Sequence, residues 1–220
     1  LFFRTVGYVE LTPIKNLSVK LNGSVDIGTA NGQFYGNPFV GDYIGVGRAT
    51  KSANFDITTN FNQLINYSFD LDSRNSFDIL LGHESYGIKN NDFNAAKTGY
   101  IVLDNPVLDN YTTIVSAASQ IDRYKTEGYF SRINYNHNDR YFASFSFRRD
   151  GTSRFSQDAR WGNFWSIGGS WRMSEEAFMS GISWVDELKL RASYGQTGND
   201  NVGGYYPSQT LYSSGRNNGA

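Results

Sequence analysis

The side chains that could bind a metal ion are few and widely separated in this sequence. His83 and His137 lie in different predicted hairpins, the chain has no cysteine, and no pair of histidines has the H-x-x-x-H spacing. Zinc sites need three or four such ligands, so no metal site is predicted. Asn199, Asp200 and Asn201 offer oxygen atoms to calcium but lack the regular carboxylate spacing of a calcium-binding loop, and we expect a turn there. We therefore predict neither a metal ion nor a cofactor.

Acid–base and nucleophilic catalysis have no support in the residue pattern either. Neighbouring residues of an extended chain point to opposite faces, so adjacent acids are poorly placed to act as an acid and base pair. No serine stands in a G-x-S-x-G turn. Gly45 and Gly47 lack the following helix and the third glycine of a phosphate-binding loop. No enzyme activity is predicted, and solvated turns are expected at the two acidic pairs, Glu175–Glu176 and Asp186–Glu187.

Aromatic side chains in the predicted loops could stack on a sugar or a peptide. The alternative is that each ring packs within its own loop, and we expect this for most of them, so no substrate-binding residue is assigned. The chain has 20 basic and 21 acidic residues without a run of like charge, and no nucleic-acid partner is expected. The loop aromatics are Phe34, Tyr35, Tyr100, Tyr111, Tyr205 and Tyr206.

The elements that position these residues are predicted to be strands, because apolar and polar residues alternate along the chain. From Leu17 to Ile27, for example, the apolar residues share one face and the polar residues share the other. The alternation recurs in segments of about ten residues, close to the 9 to 11 that a tilted strand needs to cross a bilayer. We predict eight strands, with a possible ninth near Tyr205, at 5–12, 17–27, 54–71, 76–90, 125–136, 141–148, 162–173 and 188–195.

The connections between these strands alternate between short and long. Successive hairpins of an up-and-down barrel close on opposite sides of the membrane, with tight periplasmic turns and longer external loops. The predicted fold class is therefore all-β, an antiparallel up-and-down transmembrane β-barrel segment. Ser174 is expected to cap a helix of one or two turns within the last short connection. The short connections are 13–16, 72–75, 136–139 and 174–186, and the long ones are 28–53, 91–124, 151–161 and 196 onward.

Aromatic residues on the apolar faces concentrate near both ends of the strands. Amphipathic rings prefer the boundary between water and hydrocarbon, so two girdles are expected. The alternative is that the rings fill the core of a soluble β-sandwich. The residues toward the short turns are Phe69, Phe77, Tyr135, Tyr141 and Trp171, and those toward the long loops are Tyr129, Phe147, Trp165 and Tyr194.

Four segments carry a family resemblance: RRDGTSRF from Arg148, ARWGNFWS from Ala159, GSWRMSEEAFM from Gly169 and ELKLRASYGQTGN from Glu187. In this order and spacing they resemble the SusC/RagA-type TonB-linked outer-membrane transporters of Bacteroidetes, and FDILLGHE from Phe77 resembles the same barrel region more loosely. The resemblance implies a 22-stranded barrel with an N-terminal plug and a contact with TonB. It also implies a SusD-like surface lipoprotein as lid and the import of a glycan or a peptide through the Gram-negative outer membrane.

The resemblance also sets expectations for this chain alone. Residues 1–220 are expected to be a partial barrel of eight or nine strands, with the plug domain and the N-terminus absent. Such a segment would supply wall and external loops, contact outer-membrane lipid and form an open sheet rather than a closed barrel. A passive porin and a soluble β-sandwich carbohydrate-binding module are the alternatives.

The motif residues themselves are interpreted structurally. Trp165 stands where the family often has Pro, and Ser156 where Gly is frequent, which affects loop shape only. Arg148 points inward by parity, while Arg154 and Arg160 flank a loop in which they could pair with acids. No binding or catalytic residue is carried over from the family.

Overall fold

Eight β-strands make up the computed structural model, which describes residues 1–209. They belong to one sheet whose strand order follows the chain, and the pairs β5–β6, β6–β7 and β7–β8 are antiparallel. The all-β prediction is confirmed, and the two-sheet sandwich is not the fold of residues 1–209. The strands are β1 (Phe2–Ile14), β2 (Leu17–Gly36), β3 (Arg48–Asp70), β4 (Asn75–Tyr100), β5 (Tyr111–His137), β6 (Tyr141–Thr152), β7 (Trp161–Arg172) and β8 (Lys189–Gln196).

Within residues 1–209, helical structure is limited to three short 3₁₀ turns in the connections, at Leu108–Asn110, Met173–Glu175 and Ala177–Met179. Among residues 1–209, no helix has the length and apolar character that crossing a membrane as a helix requires. The possible ninth strand near Tyr205 is not formed, because residues 202–209 are bends and turns.

The strands are longer than the sequence predicts, and two of the long loops are correspondingly shorter. The predicted loop 28–53 is reduced to residues 37–47, and the predicted loop 91–124 to residues 101–110. The added strand residues are rich in Gly, Asn, Ser and Thr and have no clear apolar face. Backbone hydrogen bonds do not require such a face, so the hairpins continue where the period-2 signal ends.

Tight turns join the strands at the other ends of the hairpins. Asn16 has a φ of 65°, and Asn138 and Asp139 both have a φ of 54°. Asn and Asp tolerate this left-handed region better than other residues with a side chain. In the last short connection, the prediction of one or two helical turns is confirmed, but Ser174 lies within the first turn and does not cap it with its side chain.

The chain separates into two compact units. The first unit comprises Leu1–Gly7, Gly23–Asn60 and Tyr86–Tyr124, and the second comprises Tyr8–Asn22, Phe61–Ser85 and the chain from Lys125 onward. The buried apolar residues all lie in the first unit, at Ala49, Ala95, Ala96 and Tyr111.

The second unit has two chemically distinct faces. Ile133 of β5 is paired with Phe145 of β6, which is paired with Ile167 of β7, so apolar side chains line up on what we call the outer face. Ile133 is 40% exposed and Ile167 is 53% exposed. Rows of exposed apolar side chains on strands suit contact with lipid. The opposite face, which carries Asn134 and Ser144, is called the inner face.

Candidate functional site

A polar groove of about 730 Å³ runs over the inner face of the second unit. Its lining residues come mainly from β3 to β8, and many of the inner-face side chains, such as Ser144, are short and polar. Short side chains leave room above the sheet, and their hydroxyl and amide groups can hydrogen-bond a polar ligand. Among the lining residues are Ser68, Asp78, Asn134, Asn136, Ser144, Ser170, Lys189, Arg191 and Ser193.

Asp78 lies at one side of the groove and is held by three neighbours. Its Oδ2 accepts hydrogen bonds from Ser68 Oγ at 2.9 Å and Asn66 Nδ2 at 3.1 Å, and its Oδ1 accepts one from Asn134 Nδ2 at 3.3 Å. These bonds join β3, β4 and β5 across the inner face. The carboxylate therefore fixes the shape of this part of the groove.

Cationic side chains occupy the other side of the groove. The ring of Phe142 lies under the ammonium of Lys189, at 4.0 Å, and under the guanidinium of Arg172, at 5.5 Å. Arg191, two residues after Lys189 in β8, also lines the groove. This positive end can attract a carboxylate or another anionic group of a ligand. Sequence reasoning placed Lys189 and Arg191 on the polar face of a strand but did not recognise a site, because the groove exists only once six strands are paired.

Arg148 also points to the inner face, as predicted from parity. Its Nε donates to both carboxylate oxygens of Asp150, at 2.6 and 2.8 Å, and its Nη2 donates to Glu84 at 3.3 Å. Its guanidinium also lies 5.3 Å from the ring centre of Phe130. These contacts connect β4, β5 and β6, so Arg148 holds these three strands together on the inner face.

The predicted loop aromatics are distributed differently from the expectation. Phe34 and Tyr35 lie in β2, Tyr100 ends β4, and Tyr111 begins β5. Tyr111 is only 1% exposed, so it belongs to the core of the first unit and cannot face a ligand. The longer hairpins explain these changes. Tyr205 and Tyr206 are half-buried in the segment after β8.

Of the two aromatic residues of β2, Phe34 packs on the loop that follows it, as expected, whereas Tyr35 contacts the other loop. Phe34 makes an edge contact with Tyr43, with ring centres 5.7 Å apart. The hydroxyl of Tyr35, near the end of β2, donates to Asp104 at 3.3 Å. This bond connects β2 to the 101–110 loop. Backbone amides of Gly99 and Tyr100 donate to Val46 O at 2.8 and 3.2 Å. The two loops are therefore joined to each other.

Exposed apolar side chains occur in both of these joined loops. Phe39, Val40 and Ile44 are each more than 60% exposed in one loop, and Ile101 is 64% exposed in the other. Exposed apolar clusters of this kind mark contact surfaces for other molecules.

The residues considered for metal binding take structural roles. His137 Nδ1 lies 2.8 Å from Asn75 Oδ1, and His83 Nε2 lies 3.2 Å from Glu127 Oε1. Within residues 1–209, no group of three or more potential ligands could hold a metal ion. Asn199 Oδ1 accepts a hydrogen bond from the backbone of Asn201 at 2.9 Å, which is the predicted turn.

Asp200, the middle residue of this turn, pairs with Arg154, for which an acidic partner was expected. Arg154 Nη1 lies 3.6 Å from Asp200 Oδ1 and donates to Asp200 O at 3.0 Å. Thr152 Oγ1 donates to Asp200 Oδ2 at 3.0 Å. These contacts attach the segment after β8 to the end of β6, so Asp200 stabilises the loop and is engaged by protein groups.

Glu176 departs from the expectation of a solvated turn residue. It accepts hydrogen bonds from Tyr141 Oη at 2.6 Å and Trp171 Nε1 at 3.0 Å, and Arg140 lies 3.6 Å away. The hydrogen bond from Tyr141 is the main cause that lowers the pKa of the Glu176 carboxyl below its ordinary value. The other three acids of the two pairs, Glu175, Asp186 and Glu187, are exposed as expected.

The aromatic residues of the outer face form two rows that agree with the predicted positions, except that Phe147 belongs to neither row. Near the short turns, eight rings lie in one series, with neighbouring centres between 4.9 and 6.4 Å apart. Toward the long loops, His83, Tyr129 and Trp161 form a second series, with Trp165 and Tyr194 in contact nearby. The first series is Tyr67, Phe69, Phe77, Tyr135, His137, Tyr141, Trp171 and Phe178.

Known proteins similar to this chain are transporters and receptors. The TonB-dependent receptor SusC of Bacteroides thetaiotaomicron is 33% identical over 138 residues, which is 63% of this chain and 14% of SusC. A TonB-dependent receptor of Formosa agariphila is 44% identical over 86 residues, which is 39% of this chain and 8% of the receptor. No protein-family model matches the chain.

Solved structures agree with these sequence relatives. A chain of the RagAB peptide transporter superposes on 94% of this chain with a TM-score of 0.88 and 27% identity. A chain of the RagAB peptide importer in its "open-open" state gives a TM-score of 0.85 with 26% identity. The matched region is 23% of each of those chains, so this chain spans about a quarter of their length.

Proposed function

Since this chain is a SusC/RagA-type barrel segment in sequence and fold, we propose that it forms part of the wall and external loops of an outer-membrane, TonB-dependent nutrient importer. In this proposal the parent protein also has a plug domain and a TonB-contacting segment, neither of which lies within residues 1–220. The energy for import would come through TonB, and the chain itself would hold no cofactor and perform no catalysis.

The polar groove of the inner face is the observation that carries this proposal. A transporter lumen must offer hydrogen bonds to a hydrophilic cargo while the opposite face contacts lipid. Hydroxyl and amide side chains suit a glycan, and the positive end at Lys189 and Arg191 suits the carboxylate of a peptide. The cargo class is therefore a glycan or a peptide.

The exposed apolar side chains of the two joined loops support a protein partner on the external side. We place a SusD-like surface lipoprotein there, because a lid that closes over the barrel needs a contact surface on the loops. Replacing Phe39 and Ile101 with Ser in the full-length parent should weaken co-purification of that lipoprotein. Replacing Phe55 and Ile65, two exposed apolar residues of β3, with Ser is the control. It tests whether the loss of apolar surface alone weakens co-purification of the lipoprotein.

Uptake by cells that contain or lack the full-length parent tests the transport proposal. Radiolabelled oligosaccharides and peptides are supplied separately, with and without a protonophore. Uptake of one class that needs the parent and stops with the protonophore supports energy-coupled import. Uptake that needs the parent but continues with the protonophore would identify a passive porin. Protease added to intact cells should cleave within residues 37–47 or 101–110, and cleavage only after lysis would reverse the topology.

A further inference from the structure

A second groove, of about 770 Å³, lies on the outer face of the second unit. Its floor is apolar and is formed by Ile65 of β3, Leu81 of β4 and Phe147 of β6. Leu81 is 50% exposed, although the strands on both sides of β4 are in place. The groove is therefore a channel along the sheet surface that an extended hydrocarbon chain can fill.

Polar and aromatic side chains border this groove at the end toward the long loops. Tyr129 is paired with Arg149 across β5 and β6, His83 stacks on Tyr129 at 4.7 Å, and Arg149 lies 5.3 Å from the ring centre of Trp161. One end of the groove thus carries a guanidinium against the ring of Trp161, which is itself 6.2 Å from the ring of Tyr129. The other end is entirely apolar or neutral.

The charge of Arg149 is available to a ligand. No carboxylate of residues 1–209 lies within the 4.0 Å that defines an ion pair with it. The nearby acid, Glu127, accepts a hydrogen bond from Tyr129 Oη at 2.7 Å and lies 3.2 Å from His83 Nε2. Because other groups engage Glu127, it does not neutralise Arg149 directly.

The position of Arg149 along the strand matches a membrane boundary. Arg149 lies eight residues beyond Tyr141, the residue of the first aromatic series at the start of β6. At about 3.4 Å per residue and a tilt of about 40°, this separation corresponds to roughly 20 Å along the membrane normal. The apolar band of an outer-membrane barrel is about 25 Å tall, so Arg149 lies near its external edge.

From these observations we propose that this outer-face groove is a binding site for an anionic phospholipid of the membrane. An acyl chain would lie on Ile65, Leu81 and Phe147, and the phosphate would accept hydrogen bonds from Arg149 beside Trp161. A guanidinium forms two parallel hydrogen bonds with a phosphate and stacks on an aromatic ring at the same time. This site rests on the proposed function, because it requires the outer face to contact lipid.

Native mass spectrometry of the full-length parent in detergent tests the proposal, with phosphatidylglycerol and phosphatidylcholine as probes. Phosphatidylglycerol should bind the wild type about tenfold more tightly, because the choline ammonium of phosphatidylcholine offsets the charge of the phosphate that Arg149 attracts. Arg149→Gln should remove this preference. Ser131→Phe, which fills the groove without changing charge, should weaken binding of both lipids.

Arg148→Gln and Arg132→Gln are the matched controls, because both side chains lie on the inner face. Both variants should keep the lipid preference, and its loss in them but not in Arg149→Gln would overturn the site. Heat-dependent gel mobility of the same preparations shows whether the barrel is folded. A folded barrel without a preference for phosphatidylglycerol overturns the lipid site and leaves the transport proposal intact. A parent that is absent from the membrane overturns both.

Discussion

The hydroxyl of Tyr141 donates a 2.6 Å hydrogen bond to Glu176, a residue 35 positions later in the chain. Tyr141 begins β6, while Glu176 lies between the two 3₁₀ turns that follow β7. Trp171 donates to the same carboxylate oxygen, at 3.0 Å. One carboxylate therefore attaches the 173–188 connection to the ends of two strands.

Acid should weaken this attachment. The pKa of Glu176 is lower in the folded protein than its ordinary value of 4.5, so its contribution to stability is complete above that pH and is lost as the pH falls through the folded pKa. Protease sensitivity of the 173–188 connection should therefore rise below about pH 4.5 in the wild type. In Glu176→Gln it should already be high at pH 7 and change less with acid.

Glu175→Gln is the control for this experiment. The Glu175 side chain is exposed, and the variant keeps Glu176 with all three of its contacts. It should show the acid sensitivity of the wild type. An equal change of the pH profile in both variants would mean that general surface charge, and not the Glu176 contacts, controls this connection.

The two faces of β5 should respond differently to a new charge. Ile133 lies on the outer face and Asn134 on the inner face. Ile133→Arg in the full-length parent should cost roughly 2 to 4 kcal/mol, whereas Asn134→Arg should cost little. Reversible unfolding in lipid vesicles measures both. Equal tolerance would contradict the lipid-facing assignment, and a larger cost at Asn134 would mean that the faces are exchanged.

Asn110 should control the order of the 101–110 loop. Its side chain is buried, its Nδ2 donates to Val102 O at 2.7 Å and Asn105 O at 2.9 Å, and its Oδ1 accepts from Val102 N at 2.9 Å. Asn110→Ala leaves these backbone groups without their partner, so local opening should become easier by roughly 1 to 3 kcal/mol. Limited proteolysis of the loop measures this change.

Asn105→Ala provides a comparison in the same loop. The Asn105 side chain is exposed and accepts a single hydrogen bond, from Val107 N at 3.2 Å. Its loss should accelerate cleavage much less. If the two variants were cleaved at the same rate, the loop would be held by its ends and not by Asn110.

Gly82 should tolerate no side chain. A Cβ at this position would overlap with the ring of Phe130 on the neighbouring strand, and the ring is also in contact with Arg148. Gly82→Ala should therefore destabilise the barrel by about 1 to 3 kcal/mol. Gly169→Ala is the control, because a Cβ there meets only Phe142 O at 3.8 Å. Denaturant unfolding of both variants in vesicles should separate them, and similar midpoints would show that Phe130 can move aside.

The sequence predicted the parts of the fold that depend on alternation. In the second unit, side chains such as Ile133 and Asn134 differ strongly in polarity, so both the strands and their faces could be assigned. In residues 28–36 and 91–100 apolar and polar side chains do not alternate, and strand pairing there depends on backbone hydrogen bonds that leave no pattern in side-chain type.

The sites were harder to predict than the strands because they depend on neighbours across the sheet. Lys189 and Phe142 are 47 positions apart, yet the ammonium lies 4.0 Å from the ring centre. Tyr111 follows a loop, and only the packing of the first unit shows that it is buried. Glu176 is next to Glu175, and nothing in the sequence distinguishes the engaged acid from the exposed one.

The distance between the two aromatic series of the outer face also sets the bilayer thickness that would fit this protein. Within β5, Tyr129 and Tyr135 belong to different series and are separated by a fixed number of strand residues. A paired strand cannot lengthen or shorten, so the distance between the series cannot adapt to its surroundings. A membrane that is thicker or thinner than this distance must itself stretch or compress around the protein, at a cost of fractions of a kcal/mol per Å.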